Sequence, residues 1–97
     1  MFKEIFYQKV YIILKWNKIR VFFPNEKYIV LETFRKNGNS VKTTVWFMEY
    51  NELILIVTRE NTGKVKRLRN NNRVNVAVSN YSGTTKSEWF SGTVQII

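Results

Sequence analysis

The feature that most limits the fold is a series of short apolar strands joined by turns too brief to hold a crossover. Tyr28-Ile29-Val30-Leu31-Glu32-Thr33-Phe34-Arg35 has the β-branched and aromatic content of a strand. Lys36-Asn37-Gly38-Asn39 follows, and Asn-Gly is a strong hairpin signal because both residues tolerate positive φ. Ser40 to Glu49 then alternates, with Val41, Thr43, Val45 and Phe47 on one face and Lys42, Thr44, Trp46 and Met48 on the other. Tyr50-Asn51-Glu52 turns the chain into Leu53-Ile54-Leu55-Ile56-Val57-Thr58, which is apolar on both faces, as in a strand covered on both sides. Parallel strands need long crossovers, so three strands in such quick succession form an antiparallel meander.

The meander ends at Asn61-Thr62-Gly63-Lys64-Val65-Lys66-Arg67-Leu68-Arg69, where four of the six residues from Lys64 to Arg69 are cationic. Thr62 is placed to cap a helix by accepting from a first-turn amide. Such a helix sets free N–H groups and its positive dipole end beside Lys64 and Lys66 or Arg67, a combination that suits phosphate. The competing reading is a solvated basic helix joining two strands. Asn70-Asn71-Asn72 ends the helix, with Val65 and Leu68 as its inward side. Val74-Asn75-Val76-Ala77-Val78-Ser79 alternates again, Ser82 to Lys86 reads as a turn, and Glu88 to Ile97 as a last strand with Gly92 a candidate bulge or close-approach site. Five strands with an inserted helix and no βαβ alternation predict a small, mainly β, antiparallel barrel spanning residues 25–97.

Residues 1–24 stand apart. Phe2, Phe6, Lys9, Val10, Ile13 and Leu14 have rough helical spacing, whereas Val10 to Leu14 reads equally well as a strand. This N-terminal extension is expected as a helix or an extra strand packed over an end of the barrel, with a membrane-surface role for a basic, aromatic helix as the lesser alternative. Its clean apolar run is too short to span a bilayer or serve as a signal peptide, so no membrane span is expected.

Charge and missing residue types narrow the function. Sixteen Lys and Arg against seven Asp and Glu give a net charge of +9, which favours anionic partners. Cysteine and histidine are both absent, which removes disulfides, thiolate nucleophiles, Cys- or His-based metal sites and the catalytic triad. No metal site is expected, and the simplest compartment is the cytoplasm. There is no Walker loop, since Gly63-Lys64 lacks the upstream glycine and a following Ser or Thr. No Rossmann fingerprint is present either.

Five segments, taken in order, resemble one superfamily: Tyr28 to Gly38, Val41 to Phe47, Thr62 to Asn71, Val74 to Ala77 and Glu88 to Val94. It is the pyridoxamine 5′-phosphate oxidase-like, FMN-binding split β-barrel superfamily, in its deazaflavin (coenzyme F-420)-dependent oxidoreductase branch. The likeness runs from about Tyr28 to Ile97. What it implies is a six-stranded split β-barrel that forms a homodimer, with FMN or coenzyme F-420 in a groove between subunits. By position, it puts Thr43, Thr44, Val45 and Trp46 along the flavin ring, largely through backbone, and Thr58 and Thr62 near the ribityl chain and phosphate. Gly63, Lys64 and Arg67, with Lys66 as alternate, would hold the phosphate. The implied activity is hydride transfer between cofactor and a small organic substrate, with Tyr50, Tyr81 and Glu88 open as proton donors. Members commonly carry proline where Thr44 stands, and they continue past the position of Ile97 with a helix and strand. Three expectations follow: residues 1–24 replace that strand, a partner supplies it, or the chain is C-terminally truncated. The alternatives in function are a degenerate, non-catalytic barrel and a small basic nucleic-acid-binding barrel.

Overall fold

The computed structural model describes residues 9–16, 25–50 and 53–97. The strands are β1 (Lys9–Trp16), β2 (Tyr28–Phe34), β3 (Ser40–Trp46), β4 (Met48–Tyr50), β5 (Leu53–Arg59), β6 (Arg73–Ser79) and β7 (Phe90–Ile96). One helix, α1 (Gly63–Asn70), separates β5 from β6. All strands pair antiparallel in a single sheet with the order β3-β2-β6-β7-β1-β5-β4. Among the described residues no helix is long and apolar enough to cross a membrane.

β3 and β4 end opposite edges of that order, yet only Phe47 separates them in the chain. Neighbouring Cα atoms are 3.8 Å apart, so Trp46 and Met48 are at most roughly 7.6 Å apart and the sheet must curl until its edges meet. The result is a split β-barrel. Phe47 is the corner: its side chain is buried in the core and its N–H donates to the Lys27 carbonyl at 3.1 Å. Sequence alternation runs unbroken from Ser40 to Glu49, but the strand changes partner there, from β2 to β5.

The registers put one parity of every strand inside. Ile29 and Leu31, Val76 and Val78, Val94, Ile12 and Leu14, and Ile54 and Ile56 fill one core cluster, and each such side chain contributes about 1.5–3 kcal/mol by burial. The meander and its hairpin follow the sequence: Gly38 has φ +89, and Arg35 N–H donates to the Asn39 carbonyl at 2.8 Å. The last strand starts at Phe90 instead of Glu88, and Gly92 keeps regular register with both Val74 and Trp16, so it is no bulge.

β1 corrects one expectation. It lies inside the sheet between β5 and β7, a stave of the barrel and not a cover over its end. The reason is that Val10, Ile12 and Leu14 alternate inward beside Ile56 and Val94, and β1 satisfies backbone edges that β5 and β7 would otherwise leave bare. The helical reading of this segment fails over Lys9–Trp16; its part at Phe2 and Phe6 lies outside the described residues.

Past the corner the two edges do not pair with each other among the described residues. β4 pairs only with Leu53–Leu55, and among the described residues β3 has β2 as its sole partner. Among the described residues the second half of β5 therefore pairs with β1 alone. Helix α1 leaves β5 and crosses to β2, burying Val65 and Leu68 over that end of the barrel.

Candidate phosphate site at the helical end

The basic helix forms as its pattern requires, with Val65 and Leu68 buried and four cations on the remaining faces. Thr62 occupies the N-cap position, but its hydroxyl donates to the Arg59 carbonyl at 3.1 Å and makes no cap bond. The expected capping is therefore overturned, because the tight turn out of β5 brings a carbonyl within reach first. The first-turn amides are left free of that side chain, and no acidic residue lies in the turn.

Lys64 and Arg67 are three apart and share one helix face. Arg67 folds back over Gly63: a methyl group at Gly63 would stand 2.9 Å from Arg67 Nη1. From there Arg67 Nε donates to Thr33 Oγ1 at 2.7 Å, and that hydroxyl turns its own proton toward the Val41 carbonyl at 3.4 Å. Thr33 is wholly buried at an inward position near the end of β2, so it locks the guanidinium across the barrel end.

Burial, and then the neighbouring Arg35, lower the Arg67 pKa from its usual value. Burial, followed by repulsion from Arg67, lowers that of Lys64. Among the described residues Lys64, Arg67 and Arg35 have no carboxylate partner; Glu60 pairs with Arg69 at 3.3 Å and Glu26 with Lys86 at 2.7 Å. Three converging cations without an acid carry an electrostatic cost that a bound anion relieves. A separate open depression of about 280 Å³, lined by Phe34, Arg35, Lys36, Asn70 and Asn71, lies at the C-terminal end of α1 and shares only Arg35 with the three cations. Its size suits a phosphate or a short polar chain and is below that of pockets that swallow a whole aromatic ligand.

The site residues read from the sequence fall into two groups. Gly63, Lys64 and Arg67 belong to this cluster, and Thr62 adjoins it at the N-cap position without a capping bond. Lys66 is exposed; its carbonyl accepts from Asn70 Nδ2 at 3.2 Å. Thr58 is half-buried on the inward parity of β5, opposite Val10. On β3 the four residues divide between faces. Thr43 and Val45 point inward, in register with Leu31 and Ile29, and Val45 packs on the core. Thr44 and Trp46 point outward, where Thr44 Oγ1 lies under Gly83 and Trp46 remains 54% exposed. What these four share is the open backbone edge of β3, where alternate amides and carbonyls face away from β2.

Trp89 is not a core residue either; it is 41% exposed, with Lys42 Nζ 5.2 Å from its ring centre. Sequence reasoning missed Thr33, Arg35, Lys36 and the Asn70–Asn71 lining. A threonine at an inward position of an otherwise apolar strand was the available signal, since a buried hydroxyl needs a partner. Searches against protein-family models, curated proteins and solved structures found no match.

Proposed function

We propose that this protein binds a phosphorylated flavin-type cofactor, FMN or coenzyme F-420, and acts as an oxidoreductase on a small organic substrate. The observation that supports this reading best is the clustering of Lys64, Arg67 and Arg35, without a carboxylate partner among the described residues, at the helix-covered end of a split barrel. Lys64 and Arg67 grip the phosphate, with the free first-turn amides of α1 behind them. Thr33 keeps the Arg67 guanidinium aimed there. The open edge of β3 along Thr43–Trp46 offers amides to the ring, and the half-buried Thr58 hydroxyl is available to the ribityl chain. When bound, the cofactor supplies the hydride chemistry; the chain supplies orientation and electrostatics. Homodimerisation, which the resemblance implies, belongs to the same proposal.

The test is parallel fluorescence titration with FMN and coenzyme F-420 at physiological salt, with light scattering on the same samples. One of the two binds saturably, and Lys64→Ala with Arg67→Ala weakens it by about 1.5–3 kcal/mol per charged hydrogen bond lost. Affinity falls as pH rises through the lowered Lys64 value, because the anion favours the protonated amine. Unchanged affinity in the double variant overturns the phosphate assignment. Binding of neither cofactor by the folded protein leaves the degenerate barrel, and steeply salt-dependent DNA binding points to the nucleic-acid alternative.

A further inference from the structure

Strand β5 was expected to be covered on both faces, and one face is open. Val57 is 36% and Leu53 39% exposed, and beside them on β1 Tyr11 is 43% exposed. Tyr11 and Val57 are cross-strand partners, and the next row joins Ile13, Leu55 and Met48. Ile97, 64% exposed, extends the patch past β7 by exchanging backbone hydrogen bonds with Tyr11.

Cations bracket this apolar face along the strand direction. Lys9 and Arg59 form the row beyond Tyr11 and Val57, and exposed Lys15 closes the other end, opposite Thr93. No acidic side chain lies on it among the described residues; Glu49 pairs with Ile54 and so has the inward parity.

From this arrangement we infer that the outer face of β1, β5 and β4 seats the protein on an anionic lipid surface. Its extent, about 14 Å by 14 Å from the strand spacings with Ile97 included, falls short of the roughly 800 Å² per partner of a stable protein interface. A second copy would also set these cationic rows against their like. An anionic bilayer meets both needs: its interface accepts a few apolar side chains and its headgroups attract the cationic rim. The patch bears no residue of the phosphate site, so the two proposals stand or fall separately.

The experiment is co-sedimentation of the full chain with phosphatidylcholine vesicles and with vesicles containing phosphatidylserine, at low and physiological salt. Expected is binding to the anionic vesicles alone. It should drop at least tenfold in Tyr11→Thr with Val57→Thr, which keep strand-forming residues, and in Lys9→Glu with Lys15→Glu. Lys64→Glu with Arg67→Glu, at the helical end, makes the same change of charge and retains binding. No binding to anionic vesicles, or an equal loss in every charge variant with none in the threonine pair, overturns the proposal. A dimer in solution that the threonine pair disperses also overturns it, by assigning the patch to a second copy.

Discussion

Gly63 carries no side chain at the one place where Arg67 needs room. An alanine there would bring its methyl group to 2.9 Å from Arg67 Nη1, and the guanidinium, as the end of a flexible side chain, would move away. Alanine is also the better helix former, by up to about 1 kcal/mol. Gly63→Ala is therefore expected to leave the thermal midpoint unchanged or raised while cofactor or phosphate affinity falls. Calorimetric melting and phosphate titration on the same variant check the separation. A fall in both would mean that glycine serves the backbone and not the arginine. Arg69 illustrates why cation count alone misleads: it sits in the same basic run but is paired with Glu60 and so contributes little to an anion.

At the scale of elements, α1 closes the barrel end and presents the cations at the same time. Leu68 is 2% exposed within the core cluster, and Arg67 beside it is bonded to β2. Leu68→Ala should cost about 2–5 kcal/mol in chemical denaturation, as expected for a buried leucine. Its effect on anion affinity should appear only where the helix has loosened. The outer row across β2, β6 and β7 has a different role. Asn75 Nδ2 donates to Glu32 Oε1 at 2.8 Å, Ser91 Oγ donates to Asn75 Oδ1 at 2.8 Å, and chiefly the Asn75 bond lowers the Glu32 pKa. A carboxylate whose folded pKa is lowered adds stability above its unfolded value and loses it as the medium turns acid through the folded value. This row is internally satisfied and offers a ligand little.

For the whole molecule the decisive point is the corner at Phe47. One residue carries the chain from one sheet edge to the other, so its buried ring holds both edges against the core. Phe47→Ala should destabilise the barrel by about 3–5 kcal/mol. Hydrogen exchange should show faster opening in both β3 and β4, whereas an ordinary core truncation would loosen one neighbourhood. β1 makes the barrel depend on distant sequence in the same way, since it lies between strands from the middle and the end of the chain.

What the sequence by itself determined is whatever local chemistry can specify. The strands from Tyr28 to Thr58, the Asn37-Gly38 hairpin and a helix with Val65 and Leu68 inward each arise from residues a few positions apart. So does the concentration of charge on α1. Tertiary structure decided the rest, because it turns on pairings between residues far apart in sequence. The insertion of β1 between β5 and β7 depends on edges 40 or more residues away. The choice of Thr33 and Arg35 as neighbours of Arg67 spans more than 30 positions, and no periodicity registers it. The Thr62 hydroxyl took the nearer carbonyl over the cap for a reason of turn geometry. The open face of β5 has the same origin: apolar alternation says which residues can be buried, while only the folded sheet says which ones are.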